Sequence, residues 1–414
     1  MRVKRSTGAV AGAAVVLLAL AACGGSSTSG SAGGTTVSYG VLSCFTGRLA
    51  SLGQSMLQGS EVAQKVVNDA GGVLGKKLDL AHADTSCDLA DAVPATQSLL
   101  SKNVAGIIGP ETQEIAAVEP ILRASKLVDE FQGGDTSRDK QTDPFLFRDS
   151  PSDSQLGVAM ALYAHQKGYT NAALLFYNDV AAQTLLAPIK AAFEKVGGHI
   201  VKSVNVAPGQ TSYRAQVQDV ISAHPDVIFT QTDAPTAAVL FRELQQANNL
   251  AIPMVGTDVT SGSDYLKAIT YPVAHDHLVS IFGTSVSGQG NDAFLKAFGT
   301  LNAGQQPLAN ANYAYDAVIS LALAETFAKT TDGTIVAKDM TQVTNPPGTA
   351  CYTYPSCLAL LKAGKKINYE GASSLDYNQY RNTFGSYGAF SSDAKGNEQQ
   401  VANMSASALA AATP

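Results

Sequence analysis

The sequence predicts an α/β fold made of two modules, each a parallel sheet covered by helices on both faces. The first observation is an alternation of short apolar strands and amphipathic helices that begins at Val37. The second is that this alternation restarts after Phe145–Ser150. The third is the length of 414 residues, 45% apolar and 15% charged, which suits two ordinary domains and excludes a fibrous or wholly disordered chain.

The first module repeats the strand-and-helix unit. Strand Val37–Leu42 leads into a helix with apolar residues at helical spacing from Met56 to Val67, and Gly71-Gly72 ends this helix. The following segments are predicted as strand Leu78–Ala83, helix Asp88–Lys102, strand Ala105–Gly109, helix Glu114–Ser125 and strand Lys126–Glu130. Such repetition implies a parallel sheet.

The second module has the same pattern. Its strands are predicted at Ala172–Tyr177, His199–Val206 and Val227–Thr230, and its helices at Ser154–Lys167, Ala181–Val196 and Tyr213–His224. Strands Pro253–Gly256 and Leu278–Phe282 and helices Asn291–Leu301 and Ala309–Lys329 follow. From Asp332 onward the sequence is irregular and turn-rich, and its periodicity predicts no particular element.

The N-terminal segment predicts export. Arg2, Lys4 and Arg5 precede an uncharged run, Gly8–Ala22, which at about 15 residues is too short to span a bilayer comfortably. The run ends in Leu20-Ala21-Ala22-Cys23-Gly24, which resembles the lipobox of bacterial lipoproteins, whose cysteine is acylated and becomes the new N-terminus. The alternative is a plain signal peptide followed by an incidental cysteine.

Residues 1–22 are therefore predicted as a signal peptide and residues 23–36 as a lipidated flexible tether. Gly24–Thr36 contains no large apolar and no charged side chain, so it cannot bury enough surface to offset the entropy of ordering. Two acyl chains on Cys23 would hold a protein far more firmly than one. We expect an exported protein on the outer face of the bacterial cell membrane, bound to that membrane through its lipid anchor.

Four further cysteines predict two disulfides, because an even number in an exported chain is typical of disulfide pairing. Cys351 and Cys357 are close enough in sequence for a local bridge. Cys44 and Cys87 each follow a predicted strand and could meet at one edge of a sheet. A zinc site is the alternative, but the sequence has no CxxC and no histidine near any of these cysteines.

Charge and motifs give no support for catalysis or for a cofactor. The 34 acidic and 28 basic residues are not the balance of a nucleic-acid-binding protein. There is no GxSxG and no phosphate-binding GxxxxGK. Gly288–Ala293 matches a relaxed dinucleotide fingerprint but comes late and opens no clear βαβ unit. His275 and His277 on one face of a strand could be metal ligands, yet they supply only two of the ligands required, so an exposed turn with two histidines is the favoured interpretation.

Two polar segments end predicted strands, where open α/β sheets bind ligands. They are Tyr177-Asn178-Asp179 and Gly256-Thr257-Asp258. Each could equally be an ordinary helix N-cap.

Several motifs in order resemble a known family. They are Leu52–Gly59, Val67–Leu78, Cys87-Asp88, Ile107–Pro110, Phe147–Asp153, Gly256–Asp258 and Tyr313–Ala317. In this order they resemble the type I periplasmic binding proteins of the leucine/isoleucine/valine-binding family. The resemblance implies a clamshell of two Rossmann-like lobes joined by three crossovers, with a small ligand in the cleft and delivery to an ABC importer.

The resemblance also implies where the lobes divide. Lobe 1 would comprise residues 37–148 and 284–370, and lobe 2 residues 149–283 and 371–414. The crossovers would lie near Arg148–Ser150, Phe282–Thr284 and Tyr369–Tyr377.

The family's ligand-binding turns map onto this chain residue by residue. The first lobe would bind a ligand carboxylate and the second lobe an ammonium group, with Asp233 and Asp258 as the favoured acidic partners. The full set implied is Leu52, Thr112, Gln113, Gln132, Gly133, Asn178, Asp179, Asp233 and Asp258. Glu111–Glu114 and Phe131–Gly134 lack most of the family's hydroxyl side chains, so the cleft should be reshaped.

The function implied is capture of an amino acid, branched-chain type or a related small polar metabolite, for the permease subunits of an ABC importer. We expect a monomer with no catalytic activity, no cofactor, no metal and no nucleic-acid partner. The alternative is a surface sensory or signalling module that uses the same clamshell.

Overall fold

The structure, a computed structural model, describes residues 35–284, 288–373 and 375–413. The predicted signal peptide, the lipidation site Cys23 and nearly all of the predicted tether lie outside the described residues. Within the described ranges, none of the helices combines the length and the apolar character needed to cross a bilayer.

Strands and helices alternate along most of the chain. The strands are β1 (Thr36–Ser43), β2 (Lys77–Asp84), β3 (Gly106–Ile108), β4 (Val128–Phe131), β5 (Leu146–Arg148), β6 (Asn171–Tyr177), β7 (His199–Val206), β8 (Val227–Gln231), β9 (Met254–Gly256), β10 (Leu278–Thr284), β11 (Thr349–Cys351), β12 (Ile367–Tyr369), β13 (Ser386–Ser392) and β14 (Glu398–Met404). The helices are α1 (Ala50–Asp69), α2 (Leu89–Ser101), α3 (Ile115–Ser125), α4 (Asp153–Gln166), α5 (Val180–Gln183), α6 (Leu186–Lys195), α7 (Arg214–Ile221), α8 (Ala234–Gln246), α9 (Gly262–Ile269), α10 (Tyr271–His277), α11 (Gln289–Leu301), α12 (Ala311–Ala328), α13 (Gly333–Thr344), α14 (Tyr354–Lys362) and α15 (Ala406–Ala412).

The first lobe is built on a five-stranded parallel sheet in the order β2-β1-β3-β4-β5. The inner strands β1 and β3 are buried along most of their length because helices cover both faces, as the sequence predicts, whereas the edge strand β2 has several exposed positions. Helix α12 returns to this lobe late in the chain, packs on α1 and is buried along most of its length. The β1–β5 strands all point the same way, so their carboxyl ends meet at one edge.

The second lobe is built on a seven-stranded sheet in the order β14-β13-β10-β9-β8-β6-β7. Strands β6 to β10 are parallel, as predicted, but β13 pairs antiparallel with β10, and β14 pairs antiparallel with β13. These two strands, of which β14 forms the edge of the sheet, come from the tail. The tail after Asp332 is thus regular for much of its length, because it gains its order by pairing with elements distant in sequence.

Local predictions failed at two further places. His275 and His277 lie on α10 rather than in an exposed turn or on a strand, and a ring nitrogen of His275 is 2.6 Å from the backbone oxygen of Ser392. The single helix predicted at Ala181–Val196 is two helices, α5 and α6.

Two of the connections between the lobes run side by side. The backbone N–H of Arg148 donates to the Arg381 carbonyl over 2.8 Å, and the N–H of Thr383 donates to the Arg148 carbonyl over 3.0 Å. The buried guanidinium of Arg148 also forms an ion pair of 2.6 Å with Asp139. Ala372 and Tyr377, assigned to lobe 2 by the resemblance, pack in the core of the first lobe.

Both predicted disulfides are present. Cys44 and Cys87 follow the adjacent parallel strands β1 and β2, and their sulfurs are bonded to each other. Cys351, at the end of β11, is bonded to Cys357 in α14. Because these sulfurs are joined in pairs, they are not thiolates free to hold zinc.

Candidate functional site

A cavity lies between the two lobes, at the carboxyl ends of their parallel strands. It holds about 840 Å³ of empty space, part of it open to solvent. The first lobe lines it with residues that follow β1, β3 and β4, and the second lobe with residues that end or follow β6, β8 and β9. This is the location that open α/β sheets use for ligands.

Seven of the nine residues predicted to bind a ligand line this cavity. They are Leu52, Thr112, Gln113, Gln132, Gly133, Asp179 and Asp258. The structure does not bring Asn178 or Asp233 to it. Asn178 is exposed, and Asp233 caps α8, because its carboxylate accepts the backbone N–H of Thr236 over 3.0 Å.

Hydrogen-bond donors of the first lobe face the cavity. Thr112 is only 7% exposed, and its hydroxyl forms no hydrogen bond with any described residue. The side-chain amide nitrogen of Gln113 is also buried without a partner in the described ranges. Gln132 is already engaged, since its amide donates to Asp149 over 2.6 Å. A Cβ at Gly133 would overlap the backbone nitrogen of Thr112, so a glycine lets these two turns pack together.

An ion pair joins the lobes at the edge of the cavity. A guanidinium nitrogen of Arg48, in the segment after β1, lies 2.6 Å from a carboxylate oxygen of Asp179, which follows β6. The same guanidinium lies 5.0 Å from the ring centre of Tyr177, within cation–π range. The other carboxylate oxygen of Asp179 accepts the N–H of Ala182 and caps α5. Asp179 is therefore both a helix cap and a contact between the lobes.

Three more carboxyl groups line the cavity: Glu111 after β3, Asp153 at the start of α4 and Asp258 after β9. None of them forms an ion pair with a described residue. Asp258 accepts hydrogen bonds from the side-chain amide of Asn310 at 2.7 Å and from the N–H of Val259 at 3.0 Å. Asp153 accepts from the hydroxyl of Thr184.

Burial raises the pKa of each of these three acids above its usual value. Burial raises the pKa of Glu111 well above its usual value, and the nearby carboxylates of Glu114 and Asp258 raise it further. Burial also raises the pKa of Asp153 to about 7, with Asp258 adding to the effect against a hydrogen bond from Thr184. Burial raises the pKa of Asp258 as well. Negative charge in this cavity is costly without a cation.

Sequence reasoning missed several lining residues: Arg48, Glu111, Asp153, Gln231 and Asn310. Four of these residues could have been found. Arg48, Glu111 and Gln231 lie at or after the carboxyl end of a strand, and Asp153 belongs to the family-like run Phe147–Asp153. Asn310 gave no such signal, because it precedes a helix far along the chain.

The family profile for periplasmic binding proteins matches residues 36–351, which is most of the chain. The chain belongs to this family. Within it, the similar sequences are leucine/isoleucine/valine-binding proteins, so the predicted family and its type I class are confirmed. This periplasmic binding protein is 27% identical to Leu/Ile/Val-binding protein homolog 3 of Brucella melitensis over 242 residues, 57% of this chain and 64% of that relative. Homolog 1 of Brucella suis is 25% identical over 300 residues, 71% of this chain and 79% of the relative.

Solved structures show the same two-lobed fold. The leucine-binding protein LivK of Thermotoga maritima has a TM-score of 0.75 at 19% identity, covering 89% of this chain and 99% of that one. LivJ of Streptococcus pneumoniae, in complex with isoleucine, has a TM-score of 0.72 at 18% identity, with coverage of 89% and 99%. An ABC transporter solute-binding protein of R. palustris, in complex with benzoate, has a TM-score of 0.71 at 17% identity, with coverage of 89% and 96%. The predicted clamshell fold is confirmed.

Proposed function

We propose that this periplasmic binding protein is the substrate-binding lipoprotein of an ABC importer. It captures an amino acid or a related small polar metabolite between its lobes and passes it to the permease subunits. It works outside the cytoplasm, anchored through Cys23, as a monomer and without catalysis. The observation that carries this proposal is the cavity at the carboxyl ends of the parallel strands of both lobes, lined by polar side chains that have no partner in the described residues.

The first lobe supplies the contacts for a ligand carboxylate. Thr112 and Gln113 offer donors, and the backbone N–H groups around Gly133 lie beside them. A carboxylate that leaves water needs such donors to replace its hydration. The second lobe supplies the acceptor for an ammonium group. Among the three aspartates predicted from sequence, Asp258 is the one that lines the cavity without a described ion-pair partner. Asp179 holds Arg48 instead.

Related proteins support this class of ligand without deciding between its members. Relatives are named for leucine, isoleucine and valine, and solved structures of the same fold hold isoleucine or benzoate. Leucine and benzoate both carry a carboxylate, but only leucine carries an ammonium group. The cavity of this chain has acidic groups that benzoate would leave without a cation.

The test is a thermal-shift screen of amino acids, amides, polyamines and aromatic acids against the purified protein. A ligand at 100 times its Kd should add about 2.7 kcal/mol of stability, because it binds the folded state alone. Small-angle scattering with each hit should show compaction as the lobes close.

The variant Thr112→Val keeps the shape of the side chain and removes its hydroxyl. It should weaken carboxylate binding about tenfold with little change in the stability of the free protein, because the hydroxyl has no partner among the described residues. Thr112→Ser is the matched control and should bind normally. A screen in which no small molecule of any class binds would reject the proposed function.

A further inference from the structure

The charges that line the cavity do not balance. Four acidic residues, Glu111, Asp153, Asp179 and Asp258, and one basic residue, Arg48, are among its described lining residues. Arg48 and Asp179 neutralise each other over 2.6 Å. The remaining three carboxyl groups have no ion-pair partner in the described ranges.

These carboxyl groups come from both sides of the cleft. Glu111 belongs to the first lobe, whereas Asp153 and Asp258 belong to the second. Asp153 lies directly against the opposite lobe, since its backbone N–H donates to the Gly134 carbonyl over 2.8 Å and a Cβ at Gly134 would overlap its carboxylate. Closing the lobes therefore brings like charges together unless a cation lies between them.

Polar side chains without a hydrogen-bond partner among the described residues indicate that the same cavity binds a ligand. Gln231, at the end of β8, is only 8% exposed, and its side-chain amide forms no hydrogen bond with any described residue. Thr112 is buried to a similar degree and also has no partner. The side-chain amide nitrogen of Gln113, which also lines the cavity, is buried without a partner in the described ranges. Buried polar groups are normally hydrogen-bonded, so this nitrogen points to a polar molecule that completes it. Apolar side chains such as Leu52 and Leu156 line the space beside these polar groups and suit a short aliphatic chain.

From this charge pattern we propose that the ligand is a small molecule of net positive charge, with cationic groups that bind between Glu111 on one lobe and Asp153 and Asp258 on the other. The inference rests on the proposed function and names the class of its ligand. A basic amino acid and an aliphatic diamine share this chemistry. A zwitterion such as leucine provides one ammonium group, and its carboxylate would meet the remaining acids. Benzoate provides no cation.

The ligand also explains how binding can drive closure. A ligand shifts an equilibrium between two shapes only by binding one of them more tightly. A cation in contact with acids of both lobes does this, because the full set of contacts exists only when the lobes are together.

The experiment compares ligand classes by calorimetry on the purified protein. Lysine, ornithine, putrescine and spermidine are the cationic probes, leucine and glutamine the neutral ones, and glutamate and benzoate the anionic ones. We expect a cationic probe to bind at least tenfold more tightly than leucine. Binding of lysine without putrescine would mean that the site also requires a ligand carboxylate, and equal binding of putrescine would mean that it does not; both results support a cationic ligand.

Charge-neutral variants locate the contacts. Glu111→Gln and Asp258→Asn should each weaken cation binding at least tenfold, because each removes one partner of a buried charge pair. Glu61→Gln, on the exposed face of α1, is the matched control and should change the Kd less than twofold. If a variant fails to fold, the ranking of the probes on the unaltered protein still decides the question.

Tighter binding of leucine or benzoate than of every cationic probe would overturn the inference and leave the proposed function standing. Failure of all three classes to bind would instead count against the proposed function itself.

Discussion

Glu325 gives the most direct test of the energetics of the first lobe. This residue is fully buried on α12, where one carboxylate oxygen accepts the hydroxyl of Tyr39 from β1 over 2.7 Å and the other has no partner in the described residues. Burial raises the pKa of Glu325 to about 8, against a lowering effect of the Tyr39 hydrogen bond. The folded protein thus binds the proton more tightly than the unfolded chain does.

The sign of the pH dependence follows from this difference. Stability contributed by the protonated carboxyl group is fully present below the unfolded pKa, near 4.5, and is lost as the pH rises through about 8. At 1.36 kcal/mol per pKa unit, the loss attributable to Glu325 between pH 5 and pH 8.5 is at most about 4 kcal/mol. Other buried acids act in the same direction, since burial also raises the pKa of Glu130 to about 8 and that of Asp316 to about 6.

The assay is urea unfolding, followed by circular dichroism, at pH 5, 6.5 and 8.5. The amide side chain in Glu325→Gln cannot ionise. Between pH 5 and pH 8.5 this variant should therefore lose up to about 4 kcal/mol less stability than the unaltered protein. Glu61→Gln removes an exposed acid from α1 and should follow the unaltered protein. If Glu325→Gln loses as much stability as the unaltered protein between pH 5 and pH 8.5, the carboxyl group is already ionised in the fold and the reasoning is refuted.

Three further predictions concern anchoring, lobe closure and the first disulfide. Metabolic labelling with a fatty-acid analogue should tag the exported protein and miss Cys23→Ser; label retained by that variant would place the lipid elsewhere. A double-mutant cycle of Arg48→Gln and Asp179→Asn should give a coupling of about 0.2–1 kcal/mol in ligand binding, because the ion pair is partly exposed. Asparagine at position 179 keeps an N-cap on α5. Zero coupling at low salt would mean that the lobes close without the help of this ion pair. Replacing Cys44 and Cys87 with serine should cost about 2–4 kcal/mol of unfolding free energy, measured with urea, and unchanged stability would contradict a structural role.

The parallel part of the fold could be predicted because each of its elements carries its own signal. A buried parallel strand such as β6 is apolar throughout, and a covering helix shows apolar residues at helical spacing. Strands β13 and β14 have no such local signal. Their order depends on hydrogen bonds between β13 and β10, which lie about a hundred residues apart, so local periodicity could not reveal them.

The site could be located from sequence more easily than its contacts could be assigned. The carboxyl ends of strands pointed to Asp179 and Asp258, and both residues line the cavity. An aspartate just before a helix, however, can cap that helix, face a ligand or do both, and these possibilities share one sequence pattern. Asp233 is a cap away from the cavity, whereas Asp179 is a cap that also binds Arg48, 131 positions away in the chain.

Contacts that hold the lobes together near the cavity are individually weak, and this leaves control of closure to the ligand. They include the Arg48–Asp179 ion pair, the hydrogen bond from Asn310 to Asp258 and the backbone hydrogen bond from Asp153 to Gly134. Each contributes about 1 kcal/mol or less. Repulsion among the acids of the cavity, which come from both lobes, opposes these contacts. A cation that neutralises acids on both lobes removes this repulsion and adds its own contacts, and a shift of about 1.4 kcal/mol already changes the ratio of closed to open protein tenfold.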